Sequence, residues 1–270
     1  IAASDDLTGK DGDWVLEKKY GIIETKNVKV LPYNANLDIL SLSNTINLGS
    51  SGDVTEGSGT TRTTYSYYVA PEKTSVSITS SSYVSQIDPD IAQTFSGDQS
   101  NGTTGLALKT LSSLHGLSSA TVDSYLVFLN YNNKWSSSLE GSVTFDGEIL
   151  GVFLDQDYTY NTSNSINNLY KSNTLTYGSS FAGGRLLETN TTEFKTDSTS
   201  LTAGNDQFSI SNSGSGYTNN HLKFGFKNGS GGDYIRVIVK QNSGASDASS
   251  TVEEDGSVSV SNGGSASSPD

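Results

Sequence analysis

The apolar residues of this chain arrive in short bursts of two-residue period, and that rhythm decides what it can fold into. Val143 and Phe145 alternate with polar neighbours, and Ile149-Leu150-Gly151-Val152-Phe153-Leu154 then runs apolar without a break. The first pattern is that of a half-exposed strand and the second that of a strand covered on both faces. Asp146-Gly147-Glu148 lies between them and reads as a tight turn with solvated acids, so the pair is expected to form a hairpin. Similar segments recur at roughly 8–12-residue spacing from Trp14 to Lys240, which predicts an all-β chain: a β-sandwich, jelly-roll-like or Greek-key, with one or two short helices.

The two helices are expected at DPDIAQTF, where Asp88 can cap and Pro89 can take the first turn, and at ALKTLSSLHGL, where Leu108, Leu111 and Leu114 precede Gly116. Pro71-Glu72-Lys73 is expected to separate two strands, and residues 161–180 to form a long polar loop. Residues 1–13 read as a polar N-terminal arm and 14–240 as the sandwich domain, with two lobes parting near 100–120 as the alternative. Residues 241–270 read as a Ser/Gly-rich tail with one weak strand at GSVSV. A chain that opens on Ile1 is expected to be a processed product or a segment of a longer one.

Hydrophobic residues make up 33% and Gly contributes 28 positions, so the core is expected to be lean under long Ser, Thr, Gly and Asn loops. The absence of Cys and Met, with a Lys-poor surface, points to the bacterial cell exterior. A net charge of −13 repels nucleic acid, and no basic cluster exceeds Lys18-Lys19. No apolar run reaches the ~18 residues of a membrane span.

Catalytic constellations are sparse. The chain has two histidines, His115 and His221, each in a context that suits an ordinary structural role, and no G-x-S-x-G or H-E-x-x-H. Glu140, Glu148 and Glu188 are the acids that would have to meet for glycoside hydrolysis, and nothing in their spacing pairs them. Calcium is the better fit, because Asp11 and Asp13, Asp88 and Asp90, and Asp155 and Asp157 each place two carboxylates together at a loop or strand end. Asp155 and Asp157 rank first, since the Asn-rich loop beyond them can supply further oxygens; solvated turn acids are the plain alternative at every pair. For carbohydrate, Trp14, Trp135, Tyr65 and Tyr67 offer stacking faces, and core packing explains them equally well.

VDSYLVFLN, GSVTFDGEILGVF, GGRLLE, NDQFSIS and DYIRVIV follow one another over residues 121–239. In that order they resemble motifs of secreted bacterial surface proteins with PEP-CTERM or choice-of-anchor signals and no assigned activity. The matching residues are Val122, Asp123, Ser124, Phe145, Asp146, Ile149, Leu150, Gly151, Val152, Arg185, Leu187, Glu188, Asp206, Ser209, Asp233, Arg236, Val237 and Ile238; Leu186 stands where those proteins usually carry Gly. The resemblance implies an extracellular surface protein without catalysis. Together with the tail it leads to a structural or adhesive component, a fibre or matrix subunit that associates with itself or with other surface proteins by strand addition through Val258 and Val260. A calcium-stabilised module binding polysaccharide is the alternative reading, and a glycoside hydrolase the third.

Overall fold

The computed structural model describes residues 20–31, 33, 35–37, 54–56, 63–65, 67–87, 94–97, 107–129, 140–154, 164–177, 189–195, 207–211, 213, 219–226, 234–242, 250–252 and 258–260. Its strands build two principal sheets, as the alternation predicts. One holds β1 (Ile22–Lys26), β5 (Gly141–Phe145), β8 (His221–Gly225) and β7 (Gln207–Ser211), in that spatial order and all antiparallel. The other holds β6 (Ile149–Phe153), β9 (Tyr234–Lys240), β4 (Ser119–Leu129), β3 (Tyr67–Thr79) and β2 (Val28–Val30), where only the β2–β3 pair is parallel.

The expected hairpin does not exist: β5 and β6 belong to different sheets, and Asp146-Gly147-Glu148 is the corner at which the chain crosses between them. Both strands are buried throughout, because β5 lies inside its sheet between β1 and β8. Alternation in Gly141–Phe145 describes which residues face the core, and it carries no information about whether the next strand folds back in the same sheet. A second corner is tighter still. β1 and β2 are separated by Asn27 alone, which takes a left-handed φ of 57° and donates from Nδ2 to the Glu140 carbonyl at 2.8 Å.

The inner core is made where the sheets face each other. Tyr125 of β4 meets Phe145 of β5 with ring centroids 4.8 Å apart, and Tyr67 of β3 meets Phe224 of β8 edge-on at 4.8 Å. Tyr67, expected as a stacking face for sugar, is therefore a core residue; it is wholly buried and its hydroxyl accepts the Phe226 N–H.

The outer face of the five-stranded sheet is also covered. Helix α1 (Leu111–His115) forms in the second half of the stretch expected to be helical, with Thr110 capping the Ser113 N–H and Gly116 ending it in a left-handed conformation, whereas Leu108 lies outside it because Lys109–Thr110 pairs as a strand with Tyr83–Ser85. His115 Nε2 then donates to the Leu150 carbonyl at 2.7 Å, tying α1 to β6. Helix α2 (Ser165–Tyr170) lies inside the stretch expected to be loop. Asn164 caps it, and Ile166, Leu169 and Tyr170 pack with Leu150, Phe153 and Ile238 on the sheet. Where a helix was expected after Asp88, Thr94–Gly97 instead pairs as a strand with Thr189–Lys195, and residues 88–93 lie outside the described ones.

Pro71 does not split a strand, either: β3 runs through it for 13 residues. β2 pairs with β3 only as far as Val69, so the Pro71 nitrogen, which has no hydrogen to donate, falls where β3 has lost its neighbour on that side. Register shifts opposite Val122–Tyr125 absorb the irregularity, and Ser75 takes a left-handed φ of 55°. The free edge of β6 is closed by Ser85 and Gln86. The Ser85 hydroxyl accepts the Val152 N–H at 2.9 Å, and Gln86 Oε1 accepts the Leu154 N–H at 2.6 Å.

Candidate functional site

Two clusters of polar side chains are buried in this framework. The deeper one lies on the outer face of the five-stranded sheet, where Arg236 sits in the otherwise apolar YIRVIV of β9 and Glu72 in the irregular part of β3. They meet in a two-point ion pair, Nε to Oε2 at 2.6 Å and Nη2 to Oε1 at 2.9 Å, and neither side chain reaches solvent. Tyr177 donates to Glu72 Oε1 at 2.5 Å, and Lys171 Nζ stands 4.4 Å from the centre of the Tyr177 ring. Burial and the Glu72 charge hold the Tyr177 phenol far above its ordinary value, so it remains a donor. Burial alone would lower the Arg236 guanidinium, yet Glu72 beside it more than offsets that and keeps it above its usual value. Lys73 on the same strand donates to the Asn168 and Leu169 carbonyls at the end of α2. The cluster pins α2 and residues 172–177 to the sheet.

The second cluster closes one end of the sandwich. Asp123, Tyr125, Val127 and Leu129 alternate inward from β4, so Asp123 stands at the mouth between the sheets with Tyr125 beneath it. Asp123 Oδ1 accepts the Ser75 N–H at 2.9 Å and Gln241 Nε2 at 2.7 Å. The same Nε2 lies 3.1 Å from Ser75 Oγ, which is 3.4 Å from Gln241 Oε1. Tyr125 donates to the Tyr20 carbonyl at 2.7 Å, and Gly21, at φ 74°, lets the backbone pass so close that a Cβ there would lie 2.5 Å from the Tyr125 oxygen. Asp146 joins the two ends of the chain's path: its N–H donates to the Gly21 carbonyl at 2.9 Å, and its own carbonyl accepts Asn242 Nδ2 at 2.7 Å. The chain thus enters the sandwich at Tyr20–Gly21 and leaves it at Gln241–Asn242 side by side.

Burial pushes the Asp123 carboxyl up, against the lowering effect of its hydrogen bonds from Ser75, Gln241 and Tyr125. Burial also raises the neighbouring phenols, Tyr33 to about 12 and Tyr125 well beyond its ordinary value. A carboxyl whose folded pKa exceeds its unfolded one binds more protons in the native state, so its contribution to stability falls as pH rises from the ordinary carboxylate range through the folded pKa. Asp123→Asn is accordingly expected to melt higher than the wild type at neutral pH. That advantage should shrink on acidification, as read from paired thermal melts over a pH series; a pH-independent difference would show that Asp123 is not the titrating group.

The candidate acids for hydrolysis are not brought together. Glu140 precedes β5 and pairs with Lys223 at 3.4 Å and Lys26 at 3.9 Å, while Glu148 follows the corner beyond the other end of β5. A strand of this length separates them by about 15–20 Å, well past the ~5–9.5 Å over which glycosidase carboxylates work. Glu188 lies outside the described residues. His221 sits on the outer face of the four-stranded sheet with Nδ1 2.7 Å from the Thr144 hydroxyl, and burial, then Lys223, lowers its pKa.

All three calcium pairs, Asp11 and Asp13, Asp88 and Asp90, Asp155 and Asp157, fall outside the described residues, as do Trp14 and Trp135 and the side chain of Tyr65. Among the described residues no group of three or more His, Cys, Asp or Glu is placed to hold a metal ion, and no helix is long and apolar enough to cross a membrane. Val258–Val260 is a strand, as expected, but it pairs antiparallel with Ser250–Val252 in a local ribbon.

Reasoning from the sequence missed Glu72 altogether and reached Asp123 and Arg236 only through the family resemblance. A signal was present in each case: a charge at an inward or fully covered position of a strand must find a partner. Compared with family models, with curated proteins and with solved structures, the chain matches none.

Proposed function

We propose that this protein is an extracellular structural or adhesive surface component of bacteria, in which the sandwich is the body of a subunit and the segment after Asn242 its connector. The observation that carries the reading is the placement of the chain's exit. Gln241 and Asn242 are clasped into the mouth by Asp123 and Asp146, and beyond them the polar segment forms a strand ribbon of its own. A ribbon has open backbone edges, which pair with the edge of a neighbouring sheet and give affinity through main-chain hydrogen bonds. The body supplies rigidity rather than reactivity: both faces of its five-stranded sheet are covered, and the polar clusters consist of hydrogen bonds that tie elements together. An acidic charge of −13 keeps such a surface from binding nucleic acid.

The test is a truncation after Asn242, which spares the clasp. Sedimentation velocity over a concentration series should show association for the full chain and a monomer for the truncated one, with the melting temperature unchanged. A full chain that stays monomeric at high concentration overturns the assembly role.

A further inference from the structure

Among the described residues, the sheet edges are guarded except along one stretch. On β1 the exposed side chains are Glu24 and Lys26, and β2 carries Lys29. Thr189–Lys195 lies against β7, and Ser85 and Gln86 close β6. The part of β3 that β2 does not reach differs from all of these. From Val76 to Thr79 it pairs regularly with β4, past the irregularity that ends at Ser75, and residues 74–85 contain neither a charge nor a proline.

The direction of its backbone groups follows from the bonds around it. Thr79 donates its N–H to Ser82 Oγ at 3.0 Å and accepts the Ser82 N–H at 2.9 Å, so its N–H is not spent on Ser119, the residue opposite it on β4. Two residues back, Ser77 stands opposite Thr121, whose carbonyl accepts the Gln241 N–H on the far side of β4. Such alternate pairs of an antiparallel ladder turn their backbone groups away from each other, so the Ser77 N–H and carbonyl point outward from the edge. The Ser77 side chain is exposed, while Val76 and Ile78 take the other face and pack with Val84, Leu111 and Val122.

The tail repeats this pattern. Ser75-Val76-Ser77-Ile78 on the edge is matched by Ser257-Val258-Ser259-Val260, and Val258–Val260 is a strand whose partner in its own chain is Ser250–Val252, in a ribbon separate from β3. We infer that the β3 edge at Val76–Thr79 accepts the Val258–Val260 strand of a second copy of this chain, with Ser259 opposite Ser77. The inference rests on the assembly reading above and names the surface that receives the tail. Directly opposite residues put their side chains on the same face, so Val258 and Val260 fall beside Val76 and Ile78 on the side of α1, and Ser259 joins Ser77 in water. A shift by one residue would place the valines in solvent, which fixes the register. Neither four-residue segment carries a charge that the contact would have to bury. Each copy offers one donor strand and one acceptor edge, so the contact runs head to tail and extends into a filament.

The chain has no cysteine, which permits a disulfide trap. Ser77→Cys and Ser259→Cys are made in separate full-length chains, mixed at high concentration and mildly oxidised. A heterodimer on a non-reducing gel is expected, because residues opposite each other in a ladder have Cα atoms about 5.5 Å apart, within the span a disulfide bridges. Glu24→Cys with Ser259→Cys should give far less. One chain carrying both Ser77→Cys and Ser259→Cys should form a ladder of multimers, and closure only upon itself overturns the choice of a second copy. In sedimentation velocity Ser77→Pro, which removes the outward N–H and leaves the ladder with β4 in place, should weaken association about tenfold, whereas Ser77→Ala should associate as the wild type does. Thermal melts establish that the proline variant is folded, and the cysteine trap decides the matter if it is not. Equal trapping at positions 24 and 77, or a folded proline variant that associates undiminished, overturns the acceptor edge and leaves the assembly role standing. A wild-type chain that stays monomeric overturns both.

Discussion

Arg236→Met is expected to cost about 3–5 kcal/mol of folding stability, the largest effect of any single polar change among the described residues, because it leaves the Glu72 carboxylate buried without its cation. The side chains exchange two short hydrogen bonds in a place that water does not reach, so neither can be resolvated when the other is lost. At roughly 2–4 °C per kcal/mol for a domain of this size, the melting temperature should fall by about 6–20 °C. Tyr177 still donates to Glu72 and softens the loss, but one neutral donor does not replace a guanidinium. The double change Arg236→Met with Glu72→Leu is the informative control. It removes both charges together and should recover most of the stability, since apolar replacements of a whole buried pair are often neutral or better. A single mutant within ~1 kcal/mol of the wild type by denaturant titration would show that the pair is solvated.

The second large effect is expected at Gly147, in the corner that carries the chain from one sheet to the other. A Cβ on this residue would lie 2.0 Å from the Lys240 carbonyl oxygen and 3.2 Å from its carbon. Both are backbone atoms at the end of β9, and the Lys240 N–H is itself engaged by the Glu148 carbonyl at 2.8 Å, so neither side of the contact can retreat by a rotamer change. Gly147→Ala must therefore displace the corner from β9, at an expected cost of about 1–3 kcal/mol or more. The loss should appear as a lower denaturant midpoint with an unchanged slope. An alanine variant as stable as the wild type would mean that the corner is looser than its contacts imply.

Much of the fold is legible in the chain itself, and the reason is local. Alternation in TVDSYLVFL and HLKFGF dictates which side chains face inward, since a strand has only two faces. Thr110 and Gly116 bound α1 through capping chemistry that involves only their near neighbours. Even α2, set in a polar stretch that suggests a loop, is marked by the Asn164 cap and the spacing of Ile166, Leu169 and Tyr170. What the chain could not reveal is decided between elements distant in sequence. Whether Phe145 and Ile149 share a sheet depends on where β1, β8 and β9 lie, so a crossover and a hairpin carry the same local pattern. Tyr67 offers the same residue type to a sugar or to a core, and its ring meets Phe224 and Phe226 only once the two sheets close. Glu72 and Arg236 are 164 residues apart, and the value of each charge is set by the other. Most strands, their inward faces and the helix caps follow from local pattern, because propensity and alternation act within a few residues. The sheet each strand joins, the buried ion pair and the clasped mouth at Asp123 arise only when distant elements pack, because burial turns an ordinary charged residue into one that must be paired.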